Sequence, residues 1–309
     1  MRCGTIKAVA EKAMDRPPID RNRLEKILRE EGVSRPVDEV IAQYEYERAA
    51  AQRLLNASRE ERRKLYGEIY DNLFRQFPTH PELTQRQSPE RRLELQLRLD
   101  SIKPLLNSRT VFADIGAGDC EFAKIAASQV KTVYALEVSF EKSLQEQANN
   151  SNLVLLNFDG FEIPLPNDSI DVAYSHQVLE HLHPEDVIEH LREVYRILKP
   201  GGYYLCVTPH RFRGPSDVSR YFTREATALH LKEYTYEELY KKFRQVGFLK
   251  VWGYTPTRRI PIHFVPVAFN IAIEHMIAPL PYALRKKMTM TISRSRVIIL
   301  SQVSMIGQK

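Results

Sequence analysis

The sequence predicts an α/β fold: a doubly wound, mostly parallel sheet with an N-terminal helical extension and an apolar insertion before the last strand. Three observations predict it. From residue 110 onward short apolar runs alternate with helical patterns, and that alternation implies parallel strands joined by crossover helices. The first run ends in a glycine-bearing turn, Gly116-Ala117-Gly118, that opens a helix. Before residue 109 the pattern differs: apolar residues recur at spacings of three and four in a strongly charged background, which is a helical signature.

The extension, 1–108, holds four helical stretches, at 21–31, 36–56, 59–77 and 89–106. Pro78, Pro81 and Pro89 punctuate it, and Ser88 ahead of Pro89 reads as a helix start. Tyr66, Tyr70, Phe74 and Phe77 share a helix face by spacing. Such a stripe is either plain packing or part of a cap over a ligand.

The second domain, 109–309, carries the sheet. Strands are expected at 110–115, 131–137, 153–157, 170–175, 203–208, 249–254 and 297–303. Helices are expected from 121 and at 141–149, 185–198 and 236–246, the last two stopped by Lys199-Pro200-Gly201-Gly202 and Gly247. In sheets of this kind the ligand sits at the C-terminal ends of the strands.

Composition narrows the function classes. A hydrophobic fraction of 43% and a charged fraction of 27% are globular values, which excludes a disordered, collagen-like or multi-span membrane chain. The net charge of +6 is mild and unclustered, so neither DNA nor RNA is an expected partner. Cys3, Cys120 and Cys206 are far apart and form no CxxC pair; a reducing compartment is expected and a structural zinc is not. Residues 1–13 hold no apolar run of signal length and position 2 is Arg, so a cytoplasmic location is expected.

Asp114-Ile115-Gly116-Ala117-Gly118 is strand, turn and helix start. Glycines let the backbone bend and approach a ligand closely, and the helix N-terminus offers N–H groups. About twenty residues on, Glu137 ends the second strand, where a carboxylate can hold both hydroxyls of a ribose. NAD and S-adenosylmethionine both suit this arrangement. The dinucleotide fingerprint needs a third glycine at position 121, and Glu121 stands there; an acid at that point repels a pyrophosphate. S-adenosylmethionine has no phosphate, and its cationic sulfonium and ammonium suit Asp114 and the carbonyls of the turn.

Residues 110–208 resemble the class I S-adenosylmethionine-dependent methyltransferases, of the type 11-like group, whose fold is Rossmann-like. Asp114 to Gly118 is similar to their first motif, and Glu137 matches their ribose-binding acid. Phe158-Asp159-Gly160 resembles the motif whose acid meets the adenine amino group, and Ser169 to His176 the fourth-strand motif. Glu180-His181-Leu182, followed by Arg196-Ile197-Leu198-Lys199-Pro200-Gly201-Gly202, resembles the late signature. The resemblance implies S-adenosylmethionine as cofactor, held by Asp114, Gly116, Ala117, Gly118, Glu137, Val138, Asp159, Gly160 and Ser175, and methyl transfer to a small-molecule acceptor. An RNA or protein acceptor, or a non-catalytic or NAD-binding Rossmann-like protein, are the alternatives. Two departures stand out: Cys120 where many members have glycine, and Glu137 in place of the commoner aspartate.

Methyl transfer is an in-line displacement at an already activated methyl, so the protein mainly has to align the acceptor and exclude water. A hydroxyl or carbon acceptor also needs a base. His176 and His210 each follow a strand at the ligand edge and are the candidate catalytic bases. His181 reads as fold support and His183, before Pro184, as a helix-start turn. A subset of the family binds a divalent ion through Glu-x-x-Glu-His; here Gln177 takes the first position, and the lost charge argues against a metal. The loop 208–222 faces the acceptor in this fold, so Arg211, Asp217, Arg220 and Tyr221 are candidate acceptor contacts, suited to an anionic or sugar-like molecule. Asp217 and Arg220 alternatively pair with each other. The apolar insertion, 255–295, is broken by Pro261, Pro266, Pro279 and Pro281 and is too interrupted to span a bilayer. With Arg285-Lys286-Lys287 close behind, the stretch 260–287 offers a lid, a dimer contact or a membrane-surface contact.

Overall fold

The run Val111–Ile115 forms strand β1, and four of its five residues are buried. It lies at the centre of the sheet, flanked in parallel by β2 (Thr132–Glu137) and β4 (Ile170–His176). A strand covered on both faces reads as a near-continuous apolar run, interrupted here by Asp114. The computed structural model describes residues 20–86, 88–139, 151–254, 264–294 and 302–309. The expected helix at 141–149 and the segments 255–263 and 295–301 lie outside the described residues.

Outward from β2 comes β3 (Leu153–Asn157), and beside β4 comes β5 (Leu198–Pro209), both parallel. β6 (Lys250–Tyr254) is separated from β5 by β8 (Gln302–Gln308), which runs antiparallel to both. A short strand, β7 (Phe264–Pro266), closes the edge antiparallel to β6. The order is β3-β2-β1-β4-β5-β8-β6-β7. The doubly wound, mostly parallel sheet is therefore as expected. Of the expected last strand, 297–301 lie outside the described residues; β8 is described from Gln302 to Gln308, with Val303, Met305 and Ile306 buried. One element differs. β7 is not expected from the sequence, because three residues inside a proline-broken stretch carry no periodicity.

Contacts divide the chain into 1–42 and 43–309. In the first unit, Asp20 caps α1 (Arg21–Glu30) by accepting the Arg23 N–H at 3.0 Å, and Arg21 pairs with Asp38 at 2.6 Å. α2 (Val37–Asn56) follows. The second unit contains the remaining helices: α3 (Arg59–Gln76), α4 (Pro81–Thr84), α5 (Pro89–Ile102), α6 (Glu121–Ala127), α7 (Val187–Ile197), α8 (Tyr236–Val246), α9 (Val267–Ile277) and α10 (Tyr282–Arg294).

Two local devices fix the helices that matter for the site. Ser58 and Glu61 form a capping box that starts α3. Arg62 on α3 reaches Asp186, just before α7, through two bonds of 2.6 and 2.8 Å, with both side chains buried. Breaking such a pair leaves a buried charge uncompensated, so α3 is locked onto the sheet unit. Ser88 accepts the Arg91 N–H and Pro89 occupies the first turn of α5, as expected. Tyr66, Ile69, Leu73 and Phe74 of α3 share a core with Ile115 and Leu136. Leu95, Leu99 and Ile102 of α5 share one with Phe112 and Phe122. The helices α3 and α5, which precede the sheet in sequence, are part of its core.

Candidate active site

The glycine turn is built as the sequence demands. Gly116 and Gly118 have φ of +73° and +57°, a left-handed region that disfavours side chains. A Cβ on Gly116 lies 2.4 Å from Val178 Cγ2. Cys120 also sits at φ 60°, a conformation in which a glycine is at ease. Glu137 holds the turn from the end of β2: one carboxylate oxygen accepts the Gly118 N–H at 2.7 Å and the other the Val138 N–H at 2.8 Å.

These residues floor a cavity of about 370 Å³ at the C-terminal edge of the sheet, within the range of small-molecule sites. Asp114, Gly116, Ala117, Gly118, Glu137, Val138, Gly160 and His176 line it. The opposite side comes from the helices before the sheet: Tyr66, Tyr70 and Phe74 of α3, and Arg91, Glu94 and Arg98 of α5. Of the two readings of the aromatic stripe, both hold in part. Tyr66, Tyr70 and Phe74 face the cavity, and Phe77 is buried in the core.

Asp114 is the site's electrostatic centre. It is buried, and its Oδ2 has no hydrogen-bond partner among the described residues. Burial pushes its carboxyl up to about 7; nearby Arg98 opposes the shift, while Glu137 and Asp119 add to it. A buried carboxylate oxygen left without a donor is costly, and in a cavity wall it calls for a cationic or N–H-bearing ligand.

His176 lies in the wall with its ring beside Tyr174. Burial, then the positive charges of Arg98 and Arg91, hold its pKa well below the usual histidine value. His176 is thus placed in the cavity wall as expected, in its neutral form.

Other expected residues are placed elsewhere. His210 is buried; its Nε2–H donates to Glu274 Oε1 at 2.7 Å and its Nδ1 accepts the Phe212 N–H at 3.0 Å. It does not line the cavity, because α9 folds back over it. Ser175 is buried against the Tyr204 hydroxyl at 2.7 Å. Strand alternation puts Tyr174 and His176 toward the cavity and Ser175 on the other face. Asp159 pairs with Arg63 at 2.5 Å and accepts the N–H groups of Phe161 and Glu162, each at 2.9 Å; it shapes the turn before Gly160 from outside the lining. The loop 208–222 does not reach the cavity either. Arg211 pairs with Glu238 at 3.0 Å, the Asp217 carboxylate accepts the Ser219 and His230 N–H groups, and Arg220 stacks on the Tyr221 ring.

Sequence reasoning missed Arg91, Arg98 and His181. The two arginines are seven apart, hence on one helix face, a signal visible in the sequence. His181 lines the cavity edge-on to Tyr70, and its Nδ1 lies 3.0 Å from the Leu229 carbonyl oxygen. Donation there leaves Nε2 as the acceptor nitrogen.

Glu180, His181 and His230 offer ligand atoms within 4.8 Å of one another. Glu180 is buried, with Oε2 on the Thr208 hydroxyl at 2.9 Å and Oε1 without a partner. His230 Nδ1 lies 2.9 Å from Glu233. Burial lowers the pKa of His230, but the Glu233 bond and the charges of Glu180 and Asp217 outweigh it and raise the group to about 9. The carboxylates around His230 thus favour its protonated form.

The sheet order and the cavity at the C-terminal edge of its strands are those of a doubly wound, Rossmann-like domain. Residues 113–206 match the methyltransferase domain family. Over 124 residues the chain is 29% identical to a "Probable S-adenosylmethionine-dependent methyltransferase" of Mycolicibacterium smegmatis, covering 39% of this chain and 48% of that one. Over 160 residues it is 25% identical to a Mycobacterium tuberculosis protein of the same description, covering 50% and 54%. The chain spans about half the length of these curated relatives. A solved S-adenosylmethionine-dependent methyltransferase from Archaeoglobus fulgidus superposes with a TM-score of 0.49 at 17% identity, covering 74% of this chain and all (100%) of that one. The cofactor of this domain class is S-adenosylmethionine.

Proposed function

We propose that the protein transfers a methyl group from S-adenosylmethionine to a small-molecule acceptor. The observation that carries this reading is the buried, unpartnered Oδ2 of Asp114 in the cavity wall. A nearby ammonium answers it; a pyrophosphate does not. The surrounding residues fit the rest of the cofactor. Glu137, already oriented by two backbone N–H groups, has lone pairs left for ribose hydroxyls. Arg98 has a buried Nε without a hydrogen-bond partner and lines the same cavity, which suits the methionyl carboxylate.

When bound, the cofactor supplies a methyl on a cationic sulfur, with a neutral thioether as leaving group. The protein's own contribution is positional. Tyr66, Tyr70 and Phe74 exclude water from the methyl's surroundings. Where the acceptor is a hydroxyl, His181 takes its proton at Nε2, the nitrogen its carbonyl bond leaves as acceptor. Incubation with methyl-labelled cofactor and a metabolite extract, read by mass spectrometry, tests the reading. Label in a small molecule supports it; label only in RNA or protein contradicts it.

A further inference from the structure

Helix α9 is inside out for a helix in water. Its polar residues Asn270 and Glu274 are buried. Its outward residues are Ala268, Phe269, Ala272, His275 and Met276, and Phe269 and Met276 are 52% and 68% exposed. Spacings of three and four put Phe269, Ala272 and Met276 on one face. On the buried side, Glu274 accepts from His210 Nε2 and from the Tyr236 and Glu237 N–H groups, at 2.7, 2.5 and 3.2 Å. Val267 and Ile277 are buried beside these polar residues; Phe269, Ala272 and Met276 are left outside.

The outward side continues past the turn at 278–281. Ala283 and Leu284 of α10 are exposed, and Arg285, Lys286 and Lys287 follow. Phe264, on the edge strand β7, is 38% exposed. From Phe264 to Thr289 the only carboxylate is the buried Glu274. The neighbouring Glu237 is already paired with Lys241 and His275. The surface thus combines aromatic and aliphatic side chains with positive charge and carries no acid of its own.

We infer that the α9–α10 hairpin rests on the surface of an anionic phospholipid bilayer. Phe269, Met276 and Leu284 enter the boundary between headgroups and acyl chains, and Lys286 and Lys287 meet the lipid phosphates. α9 has 11 residues, too few to cross the hydrocarbon core, and among the described residues no helix is long and apolar enough to do so. The hairpin therefore lies on the membrane. A lid over the acceptor is a poorer occupant, because among the described residues none of α9 or α10 lines the cavity. A second copy is poorer too: an isologous contact sets this positively charged face against itself. The inference is independent of the methyl-transfer reading.

The test is cosedimentation of the full chain with vesicles of phosphatidylcholine alone and of phosphatidylcholine mixed equally with phosphatidylglycerol. Binding is expected to the anionic vesicles only, weakening as salt rises. The Lys286→Ala/Lys287→Ala pair is expected to bind them about 30-fold more weakly. Phe269→Ser/Met276→Ser should release the protein while leaving thermal melting and cofactor binding as in wild type. Absence of vesicle binding, or unchanged binding by both pairs, overturns the inference. So does concentration-dependent dimerisation in analytical ultracentrifugation that Phe269→Ser/Met276→Ser abolishes, since the occupant is then a second copy.

Discussion

The Glu137 carboxylate accepts the Gly118 N–H at 2.7 Å, so the acid at the end of β2 holds the turn at the end of β1. One side chain both shapes the turn and presents lone pairs to the cavity. Its extra methylene relative to aspartate spans that gap.

Replacing this acid separates the two roles. Glu137→Gln keeps the length but turns an N–H₂ toward Gly118 or Val138, each of which already offers a donor. Cofactor affinity is expected to fall by about 1–3 kcal/mol in a calorimetric titration, with the protein still folded by circular dichroism. Unchanged affinity would remove Glu137 from the site.

Cofactor binding should depend on pH through Asp114. Burial has raised its carboxyl from 3.8 to about 7, so below that pH the free protein carries it protonated. An ammonium beside it favours the carboxylate, and binding then has to expel the proton. Affinity is expected to decline as pH falls below about 7, toward a limiting tenfold per pH unit, and to level off above it. Stability runs the other way. The raised pKa leaves no penalty below about 3.8, and one that grows to its full size as pH rises to about 7. Asp114→Asn should flatten the affinity profile and gain stability relative to wild type over that rise. A pH-independent wild-type affinity contradicts the assignment.

The three histidines should separate in kinetics and melting. His176→Asn is expected to keep turnover within about tenfold, because its charged form is disfavoured by burial and two arginines. His181→Asn should cost about 10²–10⁴-fold on a hydroxyl acceptor. His210→Ala should act on stability, by about 1–3 kcal/mol, since it leaves the buried Glu274 short of a donor. A full loss of turnover in His176→Asn, with cofactor affinity intact, would show His176 to be the base.

Much of this is legible in the sequence. Gly116, Gly118, Asp114 and Glu137 announce themselves because backbone geometry and ligand charge leave few residue choices there. The five parallel strands follow from apolar runs of strand length. The acceptor side is not legible. His210 sits at the expected edge, yet α9 arrives sixty-four residues later to cover it, and no local pattern encodes that return. The spacing of seven puts Arg91 and Arg98 on one helix face, but on a charged helix it does not say that this face turns inward.

Metal dependence offers a separate check. His230 is held protonated by Glu233, Glu180 and Asp217, and Gln177 adds no charge. Turnover is expected to persist in chelator without added magnesium. Loss in chelator, restored by magnesium, would show that an ion displaces the His230 proton and binds Glu180 and His181.

The most direct measurement is calorimetric titration of S-adenosylmethionine, and separately of NAD, into the wild type and Gly116→Val. The substitution places a branched side chain at φ +73°, against Val178 in the cavity wall; circular dichroism first establishes that the variant is folded. Saturable one-to-one binding of S-adenosylmethionine to the wild type is expected, with no heat from NAD and none from S-adenosylmethionine in the folded variant. Binding of NAD with S-adenosylmethionine silent, or undiminished S-adenosylmethionine affinity in the folded variant, would contradict the assignment of this cavity.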